Sequence, residues 1–167
     1  MPIGITDDHE ELRRTVRRFL EQHCTATTIR AAATAPLDVP PMWAEAAALG
    51  WTSLHIGVDD GGSGCGLVEV GVVLEEFGRA CAPGPLLATV VAAAILGRAS
   101  SDHGEVLRAI AAGGACGLAL QGDGGPVLAG EPPRTMGKSY ERSPQVVRAD
   151  SRCKATAVRC SRASLLG

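Results

Sequence analysis

The run from Trp43 to Arg79 constrains this chain more than any other stretch: WAEAAALGWTSLHIGVDDGGSGCGLVEVGVVLEEFGR. Pro40 and Pro41 can open a helix here, because a missing N–H costs nothing at a first turn. Gly50 stops that helix. Trp51 to Ile56 reads as extended or irregular, and Asp59 to Gly66 as a glycine-rich loop. A second helix is expected from about Leu67 to Phe77. Its spacing turns Leu67, Val70, Val73, Leu74 and Phe77 inward and Glu69, Glu75, Glu76 and Arg79 outward.

Helical signals continue on both sides. Thr6 is a plausible N-cap. Asp7, Asp8, Glu10 and Glu11 precede Arg13, Arg14, Arg17 and Arg18, the order the helix dipole favours. Leu12, Val16, Phe19 and Leu20 form one apolar stripe, and this helix should end near His23 or Cys24. The Ala/Thr stretch with Pro36 reads as a linker. After the sharp turn Ala82-Pro83-Gly84-Pro85, a helix from Leu86 to Leu96 is apolar almost all round, with only Thr89 polar. Such a helix should be buried on nearly every side. A shorter helix follows at about Glu105 to Ala112, and Cys116 to Leu120 reads as a first strand.

The expected fold class is therefore all-α: a small helical domain over 1–115, then the first strand and loop of an incomplete β domain over 116–130. Residues 131–167 hold neither helical nor strand periodicity and are expected to be irregular or disordered. Composition agrees with packed helices: 46% of residues are hydrophobic but only 3% are aromatic. Charge divides at the same place. Eight basic residues face fifteen acidic ones in 1–130, against eight and three in 131–167, and both lysines, Lys138 and Lys154, lie in the second part.

The net charge of −2 gives no general pull toward nucleic acid or an anionic membrane. The longest apolar run, Pro85 to Leu96, falls short of the roughly 20 residues a membrane span needs. No secretory leader is evident at Met1-Pro2-Ile3. The six cysteines, Cys24, Cys65, Cys81, Cys116, Cys153 and Cys160, form no C-x-x-C pair. A cytoplasmic chain with reduced thiols is the expectation.

Self-contained chemistry is hard to find. Gly61-Gly62-Ser63-Gly64-Cys65-Gly66 misses dinucleotide spacing, since the third glycine would fall at Leu67 or Glu69. A tight loop of close approach before a helix explains it better. Gly137-Lys138-Ser139 lacks the first glycine of a P-loop, because position 132 is Pro132. Cys153 and Cys160 without a histidine make no zinc site. His23 and Cys24 are helix neighbours that do not face each other. His9, His55 and His103 look isolated. Asp59-Asp60 and Glu75-Glu76 are adjacent along the chain rather than convergent, which suits a solvated face or a cap better than acid–base work. No catalytic and no metal-ligating residue is assigned.

The order of elements carries what single residues do not. Thr6-Asp7-Asp8 with Leu12-Arg13 and Val16-Arg17-Arg18-Phe19 resembles the opening of the acyl-CoA dehydrogenase family. Trp43, Leu49-Gly50-Trp51, Gly61-Gly62-Ser63-Gly64 and Leu74-Glu75-Glu76-Phe77-Gly78-Arg79 resemble that family's most recognisable N-terminal segment. The turn Ala82-Pro83-Gly84-Pro85 looks like members that handle bulky or branched acyl-CoA esters, sterol side chains included. The resemblance covers roughly residues 5–125. There are two departures. Gly57-Val58 replaces a Pro-Glu pair, which implies a looser loop, and Leu118-Ala119-Leu120 runs into Gln121-Gly122-Asp123 instead of Thr/Ser-Glu-Pro.

The resemblance implies an FAD enzyme that places an α,β double bond in an acyl-CoA thioester of fatty-acid or sterol side-chain oxidation. It implies an N-terminal helical domain, a middle β domain and a C-terminal helical bundle that carries the catalytic Glu. By position, Leu118, Leu120 and Gln121 would lie near the flavin. Partners by the same implication are the acyl-CoA substrate and other subunits of a homo- or hetero-oligomer. The expectation is an N-terminal piece, inactive alone, with the change of composition near 131 resembling a frameshifted reading. The alternatives are a non-catalytic helical partner subunit of a heteromeric dehydrogenase, or a binding module that uses the basic tail.

Overall fold

The computed structural model describes residues 4–34, 39–99, 103–122, 125–126, 146–148 and 156–161. Helix α1 spans Asp7–His23. Thr6 caps it from an extended backbone, accepting from the His9 amide while the His9 ring accepts from the Thr6 amide. This is a capping box with histidine in the place usually taken by Glu or Gln. Helix α2, Ala26–Thr34, occupies the stretch expected to be a linker. The Thr25 hydroxyl accepts from the Thr28 amide at its start, and an alanine run needs little else to stay helical. None of its residues is buried. Pro36 lies outside the described residues.

Helix α3, Met42–Ala48, ends in Gly50 at φ 79°, and a 3-10 turn covers Val58–Asp60. Helix α4 spans Leu67–Arg79, α5 Leu86–Leu96 and α6 Gly104–Ala111. Strand β1 then covers Ala115–Gly122. Each helix recognised in the sequence is present, with ends shifted by two residues at most.

Two clusters form the core. Val16, Leu20, Trp43, Trp51, Val73, Phe77 and Val90 belong to the first. Ile56, Ala93, Leu96, Leu107, Ile110 and Cys116 belong to the second. Helix α5 contributes to both. The few aromatic rings are concentrated rather than dispersed. Trp51 meets Phe19 edge-on at 4.9 Å between centroids and Phe77 at 6.1 Å, contacts worth on the order of 1 kcal/mol each beyond burial. The Trp43 indole donates to the Gly113 carbonyl at 2.8 Å, tying α3 to the segment that enters β1.

Helix α5 departs from expectation on one side. Leu87 is 63% exposed and Val91 36%, although Leu86, Val90, Ala93 and Leu96 are buried. Its polar Thr89 is fully buried, where it accepts from the Cys116 amide at 3.0 Å and donates to the Cys116 carbonyl. A helix without a polar stripe thereby gains one fixed bond to the start of β1.

Strands β2 (Gly125–Pro126), β3 (Val146–Arg148) and β4 (Thr156–Ser161) complete an antiparallel sheet ordered β2-β1-β4-β3. Two of these strands fall within 131–167, where the sequence suggests no regular structure. The six-residue register from Ala115↔Ser161 to Leu120↔Thr156 supplies backbone partners that a weak local pattern does not announce. The same register sets Cys160 opposite Cys116, and Cys116 is disulfide-bonded. The expectation of reduced thiols is therefore corrected at Cys116. Cys24, Cys65 and Cys81 are free thiols.

Candidate functional site

Glu76 is the first surprise of the α1–α4 interface. Expected on a solvated face, it is 1% exposed. Arg17 donates to both carboxylate oxygens, at 2.9 and 2.6 Å, and Arg79 donates at 2.9 Å. Arg13 Nε stands at 3.9 Å, while its two terminal nitrogens donate to Glu10 and Glu75. The hydrogen bond from Arg17 above all, helped by Arg79 and opposed by burial, holds the Glu76 carboxyl at a pKa of about 2. The signal was present in the sequence. Glu76 lies three residues after inward Val73 and beside inward Phe77, and Arg13 and Arg17 share one face of α1. A carboxylate gripped in this way is a structural anchor and cannot take up a proton near neutrality.

His9 is likewise not isolated. Its Nδ1 accepts from the Thr6 amide at 2.9 Å, so Nε2 carries the hydrogen and donates to Glu69 of α4 at 3.2 Å. The Glu69 carboxyl is lowered by its own backbone amide first and by His9 second. His23 stacks on Phe19 and faces Glu45, while Cys24 lies against Met42. That pair does not form a nucleophile and base.

The glycine-rich loop is a close-packed corner. A Cβ on Gly62 would lie 2.2 Å from the Ile56 carbonyl oxygen, so only glycine fits. The Gly57 carbonyl accepts from the Asp60 and Gly62 amides, and Arg108 of α6 holds Asp60 at 3.1 Å. The looseness expected from Gly57-Val58 is thus countered by hydrogen bonds. His55, just ahead, is half-buried. Both of its ring nitrogens are covered without a well-formed hydrogen bond, and burial pushes its pKa down, with the Val90 backbone opposing.

Helices α4 and α5 leave an apolar groove of about 500 Å³ between them. Leu67, Gly71 and Leu74 form one wall, and Val91, Ala94 and Ile95 the other, with Arg98 at one end.

The three residues expected near a flavin, Leu118, Leu120 and Gln121, all lie on β1. Leu118 pairs with Val158, Leu120 with Thr156 and Gln121 with Pro126. Among the described residues, no group of three or more His, Cys, Asp and Glu side chains is arranged to hold a metal ion, and no helix is long and apolar enough to cross a membrane.

The six helices, the glycine corner and the turn into β1 are the parts that define a class. Residues 6–114 match the model of the acyl-CoA dehydrogenase N-terminal domain, from the Thr6 cap to the residue before β1. The chain belongs to the acyl-CoA dehydrogenase family through that domain. It is 37% identical over 90 residues to acyl-CoA dehydrogenase IpdE2 of Mycolicibacterium smegmatis, covering 53% of this chain and 29% of that protein. It is 31% identical over 113 residues to IpdE2 of Mycobacterium tuberculosis, covering 66% and 36%. A variant of the Tcur3481-Tcur3483 steroid ACAD superposes with a TM-score of 0.59 at 30% identity, over 64% of this chain and 30% of that one. The ChsE4-ChsE5 complex from Mycobacterium tuberculosis gives 0.54 at 28% identity, over 68% and 30%. The chain thus spans about a third of the length of the curated relatives it matches.

Proposed function

We propose that this chain supplies the N-terminal helical domain of an FAD-dependent acyl-CoA dehydrogenase acting on a bulky, steroid-derived or fatty acyl thioester. The carrying observation is the family match over 6–114, coincident with the six-helix fold. The steroid relatives and the turn at Ala82-Pro83-Gly84-Pro85 favour a bulky acyl group. That turn packs closely, with Gly84 at φ 120° and its Cβ position 3.2 Å from Pro40 and 3.5 Å from Trp43.

The work of this domain is positioning. Glu75 and Glu76 are both engaged by arginines and Glu69 by His9, so none is available as the base that removes an α-proton. That base is expected outside the described residues. Leu118 and Leu120 would face FAD, which when bound supplies the hydride acceptor. The start of their strand is fixed to α5 through Thr89 and Cys116.

The test is purification of the chain alone and together with a polypeptide that carries the middle and C-terminal domains of a relative. The expected result is a colourless, inactive chain alone and acyl-CoA-dependent reduction of an artificial electron acceptor only in the combination. A yellow chain active by itself overturns this reading. A second reading, a helical subunit of a heteromeric dehydrogenase, is favoured by the likeness to the ChsE4-ChsE5 complex and to the Tcur3481-Tcur3483 steroid ACAD.

A further inference from the structure

Cys116 is held by two different kinds of bond. Its amide donates to the Thr89 hydroxyl at 3.0 Å, and its carbonyl accepts from the same hydroxyl at 3.3 Å. The main chain at this residue is therefore turned toward α5. Along an antiparallel pair, opposed residues alternate between exchanging main-chain hydrogen bonds and facing each other without them. A residue that points both its amide and its carbonyl at α5 turns them away from β4. Cys116 and Cys160, opposite each other in the register, are thus a pair of the second kind. Such pairs bring their α-carbons to about 4.5 Å, within the span of a disulfide.

Oxidation in this chain is selective. Cys116 is disulfide-bonded, whereas Cys24, Cys65 and Cys81 are free thiols. Of the six cysteines, Cys153 and Cys160 are left as its partner, and Cys160 is the one in register with it. The two attachments of Cys116 fasten different parts. Thr89 ties β1 to α5, and Cys116 is a 2% exposed member of the second core cluster. As a thiol it would fill that place equally well, because cysteine packs as a small apolar side chain. Strand β4 depends on the bond more. It pairs with β1 from Ala115 to Leu120 and with β3 over Val146 to Arg148, and short pairings of this kind are marginal by themselves. A bond from Cys116 to Cys160 closes a loop of about 45 residues, which favours the closed arrangement on the order of a hundredfold.

We propose that Cys116 and Cys160 form a redox latch, which holds β4 on β1 when oxidised and lets it leave when a dithiol reductant opens the bond. In the opening step a thiolate of the reductant attacks the Cys160 sulfur, because Cys116 is buried. The Cys116 sulfur leaves with the electron pair of the broken S–S bond and takes up a proton. The second thiol of the reductant then displaces Cys160 as a thiol and closes the reductant's own disulfide. Two electrons and two protons pass to the protein. Opening leaves α1 to α6 in place and uncovers the edge of β1 between Ala115 and Leu120. The latch goes beyond the function proposed above and does not rest on it.

The test uses the full chain, treated with oxidised glutathione and compared before and after dithiothreitol. Peptide mapping of the oxidised chain should find Cys116 joined to Cys160. On reduction, hydrogen exchange should speed up at least tenfold in peptides from β1 and β4, while those from α1 to α6 keep their protection. C160S without reductant should match the reduced wild type, and C153S should match the oxidised one. Cys116 joined to Cys153, or found as a thiol in the oxidised sample, overturns the proposal. So does unchanged exchange in β1 and β4 after reduction, which would show that main-chain pairing alone holds the strand. Loss of protection throughout the helices also overturns it, since the bond would then support the whole fold instead of latching one strand.

Discussion

At the scale of residues, the buried charges decide the acid behaviour of the fold. Glu76 is held near 2 when folded and titrates at about 4.5 when unfolded. Its contribution is complete above 4.5 and is lost as pH falls from there toward 2. E76Q should destabilise the chain by about 2 kcal/mol at neutral pH, because Arg17 and Arg13 keep their charge without the carboxylate. Urea unfolding at pH 7 and pH 3 checks this, and the difference between wild type and variant should shrink at the lower pH. His55 acts in a second window. Burial lowers its folded pKa below 6.5, so below that value the unfolded chain binds the extra proton and stability declines. H55L should remove this slope between pH 7 and 5.5 and leave stability at pH 7.5 unchanged or raised by up to about 1 kcal/mol, since two buried nitrogens no longer want partners. A steeper slope in H55L would contradict the account. The place of Glu76 was legible from its inward neighbours Val73 and Phe77, but that of His55 was not, because a lone histidine carries no local mark of burial, which here comes with α5 from elsewhere in the chain.

At the scale of elements, helical periodicity and glycine punctuation placed five of the six helices. Capping residues, apolar stripes and stop signals are local properties, and Thr6, Gly50 and Gly97 express them. Helix α2 was missed because it buries no residue and so carries no apolar stripe. The strands after β1 were missed for the complementary reason, since a strand edge is satisfied by a distant partner and not by its own sequence. The same distance hides the bond that couples α5 to β1. T89V keeps the shape of Thr89 and leaves the buried Cys116 amide without its acceptor. We expect a loss of about 1–3 kcal/mol, read from the urea midpoint. A loss under a few tenths would mean that a water replaces the hydroxyl.

At the scale of the whole molecule, two clusters share α5 and should fail together. Ile110 is fully buried in the cluster that lacks tryptophan, whereas Trp43 and Trp51 report the other. I110A should cost about 2–5 kcal/mol and shift the tryptophan fluorescence transition as far as the far-ultraviolet circular dichroism transition. Separate midpoints would show that the clusters unfold independently. The ion pairs lead to a last consequence. Every salt bridge given above that uses a long basic side chain uses a guanidinium, and residues 1–130 contain no lysine at all. Thioesters slowly acylate exposed primary amines without any enzyme. Arginine does not react in this way at neutral pH. Residues 1–130 offer a thioester no amine apart from the chain terminus, so on the proposed function they should gain no stable amide adducts. Peptide mapping after long incubation with an acyl-CoA, with hydroxylamine to clear thioesters from the free cysteines, should place amide adducts at Lys138, Lys154 or the amino terminus and none on the helices.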